Sequence, residues 1–300
     1  MSELTTQSHV VVIGVFDGVH KGHQELLTHA KAIADGREIV VLTFDPHPTT
    51  VFAPDRAPSM LTTLADRVEL LKIHGADQVA VMKFNEKFAA MSPEDFVKSV
   101  LVDQLHASTV IVGRNFTYGY KAAGSVDSLI KSGLTHNFTV EAQELNSDGG
   151  EVISSSRIRT LVIEGKVEDA RLLLGRPHRL DGVVVHGEAR GREIGYPTAN
   201  LGNLDGQTIP ADGIYAGWLT VGINRWSAAI SIGTNPTFAG VRTRQVEAYA
   251  LDQIGLDLYD QDATIEFGWH LRETLKFDGL EPLLEQMKKD CDLARKLTEA

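Results

Sequence analysis

Gly14-Val15-Phe16-Asp17-Gly18-Val19-His20-Lys21-Gly22-His23 is the stretch on which the fold of the first half turns. It follows His9-Val10-Val11-Val12-Ile13, an almost unbroken β-branched run of the kind that forms a buried parallel strand. Glycines interrupt the run, and a helix is expected over about residues 20–35. Strand, glycine-bearing loop and helix start make a corner rich in backbone N–H groups, which suits an anion. His20 and His23 are three apart and share one face of the first helical turn. Imidazoles and amides aimed at a phosphoryl group stabilise the charge that grows on its oxygens during displacement at phosphorus. Gly14, Gly18 and Gly22 let a nucleotide approach the backbone. Two other readings of the histidine pair stay open, a zinc site and a plain helix start. No cysteine cluster or His-Glu-x-x-His run is present to complete a zinc shell.

Working outward, residues 38–44 read as a second buried strand, 64–74 as helix and 79–82 as strand. Ser92-Pro93-Glu94-Asp95 is a helix start, with serine at the cap, proline at the first position and acids in the first turn. That helix is expected to reach about residue 105, with a strand over 109–112. The alternation predicts an α/β, Rossmann-like N-terminal domain with helices on both faces of the sheet. Ligands of such sheets bind beyond the carboxyl ends of the strands. Residues 16–22, Asp45-Pro46-His47-Pro48 and Gly113-Arg114-Asn115-Phe116 all follow predicted strands, so they are expected to converge. For Phe44 and His47 a simpler reading remains, since Pro46 and Pro48 alone force a turn. Ser154-Ser155-Ser156-Arg157-Ile158-Arg159 opens another helix, and residues 167–174 form a further one stopped by Gly175 and Pro177. The linker is expected over about 176–180, dividing the chain into domains 1–177 and 178–300.

The second half has a different texture. Residues 182–186, 213–221, 226–232, 245–252 and 263–269 read as strands separated by turns rich in Gly, Asn and Asp. The pattern predicts a compact antiparallel β-barrel closed by one amphipathic helix over about 280–297. No Gly-x-x-x-x-Gly-Lys-Ser/Thr loop is present. Instead Gly182-Val183-Val184-Val185-His186-Gly187 leads into Gly191-Arg192-Glu193-Ile194-Gly195-Tyr196-Pro197-Thr198-Ala199-Asn200. Gly187, Gly191 and Gly195 permit close backbone contact with phosphate. The Thr198 hydroxyl and the Asn200 amide oxygen are hard donors suited to Mg²⁺, although a turn or helix cap would use the same residues. Glu247 lies mid-strand between Val246 and Ala248, where a carboxylate is costly to bury unless paired or functional. Alternation also allows it to face solvent.

Three hundred residues suggest two cores. No apolar run approaches ~18 residues, which predicts no membrane span. Residues 1–7 lack a signal-peptide pattern and Cys291 is the lone cysteine, so the expected compartment is the cytoplasm. A net charge of −11 without a basic stripe argues against a nucleic-acid partner. Anionic small molecules must then be met by local helix starts, loop amides and a few placed cations.

The Gly14–His23 stretch resembles the His-x-Gly-His signature of nucleotidyltransferases, in the form carried by prokaryotic bifunctional riboflavin kinase/FAD synthetases. Thr43-Phe44-Asp45-Pro46-His47-Pro48, Val112-Gly113-Arg114-Asn115-Phe116-Thr117-Tyr118-Gly119 and Ser154-Ser155-Ser156-Arg157-Ile158-Arg159 resemble that family's later blocks, in order. The run ending Pro197-Thr198-Ala199-Asn200 resembles the riboflavin kinase signature, supported by Ser231-Ile232-Gly233-Thr234-Asn235-Pro236-Thr237-Phe238. The resemblance implies that the barrel converts riboflavin and ATP to FMN and ADP, and that the α/β domain converts FMN and ATP to FAD and pyrophosphate, with Mg²⁺ serving both. His20 and His23 would grip ATP phosphates, beside Gly14, Phe16, Asp17 and Gly22. Asn115 would hold flavin or nucleotide, and Ser155, Ser156 and Arg159 would bind phosphate. Thr198 and Asn200 would hold the metal, Glu247 would act as general base, and Arg272 would lie near flavin. Phe238, Tyr249 and Trp269 are aromatic candidates for flavin or core. Arg114, where the family more often has an acid, and Asp260, where it has glycine, depart from the pattern. The rival readings are a chain with one of the two activities intact and a non-catalytic flavin sensor.

Overall fold

The computed structural model describes residues 8–144, 147–148, 151–187, 195–234 and 244–299. Two units divide the chain, Met1–Pro58 with Leu64–Ser155, and Ser59–Thr63 with Ser156–Ala300.

The first unit is built on a five-stranded parallel sheet in the order Gln78–Lys83, Ile39–Asp45, His9–Ile13, Ala107–Gly113, Thr139–Gln143. Strand His9–Ile13 sits in the middle, in register with Ile39–Leu42 on one side and Thr109–Ile111 on the other. Its side chains alternate between two cores. Val11 and Ile13 pack with Val97, Val100, Leu101 and Leu129, while Val10 and Val12 pack with Leu27, Ala30, Leu70 and Leu71. Helices Phe96–Gln104 and Val126–His136 thus cover one face, and Lys21–Ile33 and Leu64–Ile73 the other. Val10, Val11 and Val12 are wholly buried, each contributing about 1.5–3 kcal/mol of transfer free energy. Chain order reverses between His9–Ile13 and Ala107–Gly113, and a crevice at such a switch point is where open α/β sheets bind ligands.

The second unit contains a closed antiparallel barrel, ordered His178–Val185, Ala199–Gly202, Arg244–Ala250, Asn224–Thr234, Gly213–Val221, Asp262–Arg272. Its interior is filled by Leu180, Val184, Leu219, Ile230, Ile265 and Phe267, among others. Val246, Ala248 and Ala250 also point inward, so Glu247 and Tyr249 lie on the outer wall. Helix Leu280–Thr298 lies against that wall, with Cys291 and Ala294 packed beside Ala216 and Leu251.

Of the strands in the main sheet and the barrel, two escape the sequence reading. Thr139–Gln143 is an edge strand whose Thr, Glu and Gln residues mask its period. Ala199–Gly202 begins within the glycine-bearing run that read as a turn, and pairs with Arg244–Ala250. The expected linker over 176–180 also requires correction. Gly175, at φ 76°, ends helix Val167–Leu174, and the first barrel strand already begins at His178. Leu180 is wholly buried, and the His178 ring meets the Thr208 carbonyl at 2.7 Å. Residues 178–180 are barrel wall because they bury side chains a linker would expose.

Candidate active sites

The loop after the central strand of the first unit forms a tight corner. Phe16 takes a left-handed conformation with φ 57° and is 1 % exposed. Its ring meets His23 edge-on at 5.0 Å. His20 occupies the N-cap position, its carbonyl accepting the His23 N–H at 2.8 Å, and its ring stacks on His23 with centroids 3.6 Å apart. Desolvation by burial, with His20 beside it, lowers the His23 pKa well below the usual histidine range. The His23 ring is therefore neutral at pH 7, an N–H donor rather than a cation. Gly14 and Gly22 make room for rings within the corner itself. A Cβ at Gly14 would lie 3.0 Å from the Phe16 ring, and one at Gly22 3.3 Å from the His20 ring. The Asp17 carbonyl accepts from the Ser155 hydroxyl at 2.8 Å, and Asp17 itself is 2 % exposed.

Beside this corner opens a cavity of about 360 Å³ at the carboxyl ends of the strands. Gly14, Val15 and Asn115 line it together with Phe44, Phe52, Phe84, Phe88, Phe96 and Phe116. Phe44 and Phe84 meet at 5.8 Å and 89°, and Phe84 and Phe88 at 5.4 Å, so the walls are fixed aromatic edges and faces. The sequence reading had Phe44 and Asn115 here but missed Phe52, Phe84, Phe88 and Phe96, which are spread over 45 residues without a motif (96 − 52 + 1). His47 accepts the Thr49 N–H and starts helix Pro48–Phe52. The Arg114 departure is a surface ion pair with Glu144 at 3.4 Å, both largely exposed.

The second site lies on the outer barrel wall. Thr198 and Glu247 come from neighbouring strand regions, and the Thr198 hydroxyl donates to Glu247 Oε2 at 3.0 Å. Asn200 and Ser231 are the cross-strand partners of Glu247 on either side. A Cβ at Gly187 would fall 2.4 Å from Asn200 Nδ2, so only glycine leaves the Asn200 amide its place. Gly195 has φ 88° and open space around it. A cavity of about 280 Å³ spans from this wall to the C-terminal helix, lined by Thr198, Glu247, Tyr249, Tyr196, Arg272 and Cys291, among others. Arg272 is held at its edge by Asp290, with Nη2–Oδ2 at 2.6 Å and Nε–Oδ1 at 3.0 Å. Burial raises the Cys291 thiol to about 11, so it faces the cavity as a neutral group. Thr198 also lines a smaller hollow of about 40 Å³ with Pro197, Leu258 and Tyr259. Tyr259 stacks on His186 at 3.9 Å.

The structure therefore brings His20 and His23 together, and separately Thr198, Asn200 and Glu247. Ser156 and Arg159 belong to the second unit, where Arg159 Nε donates to the Ser59 carbonyl at 2.6 Å. Trp269 packs on Trp218 at 5.6 Å rather than on the cavity. Gly191 and Phe238 lie outside the described residues. Asp260 takes φ 60°, the left-handed conformation that glycine adopts most readily. Thr274 and Asp290 are polar groups of the second cavity that sequence reasoning missed, Asp290 because it reads as an ordinary charged residue of a helix. Among the described residues no group of three or more His, Cys, Asp or Glu side chains is placed to hold a metal ion.

Comparison with known proteins agrees with both halves. A family model described as FAD synthetase matches residues 2–157, and one described as riboflavin kinase matches 174–298. A bifunctional riboflavin kinase/FMN adenylyltransferase of Listeria monocytogenes is 38 % identical over 96 % of this chain and 92 % of its own. Its counterpart in Escherichia coli K12 is 34 % identical over 98 % and 94 %. A crystal structure from Streptococcus pneumoniae, described as a macrolide-efflux protein, superposes with a TM-score of 0.86 at 33 % identity, covering 98 % of this chain and 96 % of that one. In this chain no helix among the described residues is long and apolar enough to cross a membrane. On the strength of both matched models and full-length relatives, the chain belongs to the bifunctional riboflavin kinase/FMN adenylyltransferase family.

Proposed function

We propose that the family's two reactions divide between these two pockets, with residues 1–177 transferring adenylyl groups and 178–300 phosphorylating riboflavin. The observation that carries this reading is the meeting of Thr198 and Glu247 at 3.0 Å beside the larger cavity, with Thr198 also lining the smaller one. Riboflavin fits the larger cavity, against Tyr249 and Arg272 and under the C-terminal helix. ATP approaches from the smaller side, past Pro197 and Tyr259, so that its γ-phosphate arrives at Thr198. Glu247 takes the proton from the ribityl 5′-hydroxyl as the new O–P bond forms and the bond to ADP breaks.

The Thr198 hydroxyl and Asn200 amide, beside a carboxylate, form a hard-oxygen set that fits Mg²⁺, and the cradle at Gly187 keeps the amide in place. Thr198 and Asn200 would hold the ion, which when bound neutralises charge on the transferring phosphate. The remaining chemistry belongs to the chain: Glu247 accepts a proton, and the barrel wall with its helix excludes water from the flavin.

In the first unit the aromatic cavity takes the flavin ring of FMN, with Asn115 at its rim. The FMN phosphate attacks the α-phosphorus of ATP, and pyrophosphate leaves. That nucleophile is already an anion at pH 7 and surrenders no proton. His20, His23 and the helix-start amides are donors for the phosphoryl oxygens. The lone cysteine is buried and free, in keeping with a reducing cytoplasm. Chromatography of products from riboflavin, ATP and Mg²⁺ tests the reading. FMN followed by FAD is expected. FMN without FAD would remove the adenylyl half, and tight flavin binding without turnover would make the chain a sensor.

A further inference from the structure

We propose that Arg67 is a positioning residue for adenylyl transfer, its buried guanidinium pinning the loop that carries His20 and His23. Arg67 lies on helix Leu64–Ile73 and is 1 % exposed, the bulkiest of the wholly buried side chains. Its Nη1 donates to the Val15 carbonyl at 2.9 Å. The same carbonyl accepts the Thr43 hydroxyl at 2.9 Å. Its Nη2 stands 3.7 Å from Asp45 Oδ1. Burial pulls the guanidinium below its usual range, and Asp17 and Asp45 push it back up. One side chain therefore ties the loop after the first strand to the end of the second.

The loop needs such a tie. Phe16 has φ 57° and Val19 φ 38°, and a β-branched residue there is a true outlier. Strained backbone of this kind persists only where its surroundings over-determine it. The loop carbonyls are held in turn: Val15 by Arg67 and Thr43, Asp17 by Ser155, and Val19 by the Gln24 amide at 2.9 Å. Arg67 supplies the only charged donor among these. Burying a guanidinium is unfavourable unless its partners repay it, and an apolar side chain would fill the same core space more simply. A cation at this spot fixes where Val15 and Phe16 lie, and Phe16 supports His23.

The inference rests on reading the His20–His23 corner as the phosphate site, and the test separates the two. Full-length R67M, R67K, T43V and H23A variants are assayed for FMN-to-FAD conversion, with riboflavin phosphorylation measured in the same preparations. R67M is expected to lower kcat about 100-fold, as a displaced catalytic group does, with KM for FMN within about threefold. R67K keeps the charge but not the fork, and is expected to recover about tenfold of that loss. T43V, which removes one hydrogen bond in a near-isosteric change, lowers kcat about threefold. Phosphorylation stays unchanged in all of them. If R67M does not fold, R67K and T43V decide the matter, and wild-type kcat in both overturns the inference. It is also overturned if R67M retains kcat, if its loss falls on KM alone, or if phosphorylation falls with it. H23A that still makes FAD would remove the phosphate-site reading itself, whereas inactive H23A beside active R67M would remove only the role of Arg67.

Discussion

In the first unit the proposed reacting corner is Phe16, His20 and His23, packed ring on ring, with His23 held neutral by burial. In the second the proposed corner is Thr198, Asn200 and Glu247 on the outer barrel wall, with a carboxylate at its centre. Both corners are proposed to handle ATP, but the nucleophiles differ. An FMN phosphate is ionised at pH 7, whereas a ribityl hydroxyl still carries its proton. A base is needed only where there is a proton to remove. On this proposal the first corner needs no base, and its work is to place donors around charge that develops at phosphorus.

The sharpest break in this comparison comes from Glu247→Gln. It should lower FMN formation about a thousandfold, the scale of general-base loss, and leave conversion of supplied FMN to FAD intact by product chromatography. Equal loss of both products would merge the two sites. His23→Ala should do the reverse, lowering FAD formation from FMN about 100-fold while riboflavin phosphorylation continues at its original rate. Gly187→Ala sharpens the second site, because the new methyl would displace the Asn200 amide. About a tenfold loss of phosphorylation is expected, with adenylyl transfer unaffected.

Much of this arrangement is legible in the amino-acid sequence. The β-branched run at 9–13 announced a strand buried on both faces, and the spacing of His20 and His23 announced one shared helical face. Thr198, Asn200 and Glu247 stood out because hard oxygen donors and a mid-strand acid need a reason to be there. What stayed hidden depends on tertiary approach. Glu247 does lie on the outer wall, as plain alternation allowed, but the wall is covered by a helix that starts 33 residues later at Leu280 (280 − 247). Phe52, Phe84, Phe88 and Phe96 form one cavity from separate elements, with no local pattern to join them. Arg67 follows Ala65 and Asp66 in a helix and carries no sign that it turns inward. Gly14 and Gly22 looked like room for a nucleotide, yet the space beside each is taken by the Phe16 and His20 rings.

Acid should act on both units through buried histidines, His23 in the first and His178 in the second, and the second can be read alone. His178 is buried, and desolvation lowers its pKa to about 4, with the Thr208 carbonyl opposing that shift and Arg176 adding to it. Its unfolded value is near 6.5, so between those values the unfolded chain binds more protons than the folded one. The contribution is complete above pH ~6.5 and fades as pH falls towards ~4, a loss of about 3 kcal/mol. Trp218, Trp226 and Trp269 all lie in the second unit, so tryptophan fluorescence melts follow that unit. The midpoint should drop over this window, and His178→Gln should flatten the dependence. An unchanged slope in that variant would assign the acid sensitivity elsewhere.

The most direct test of two independent sites is a mixing experiment followed by product chromatography. The Glu247→Gln chain and the His23→Ala chain are each given riboflavin and ATP, alone and together. Alone, the first should stall at riboflavin and the second at FMN, while the mixture should make FAD. A mixture that makes no FAD, or a single variant that has lost both steps, would contradict the division of labour between His23 and Glu247.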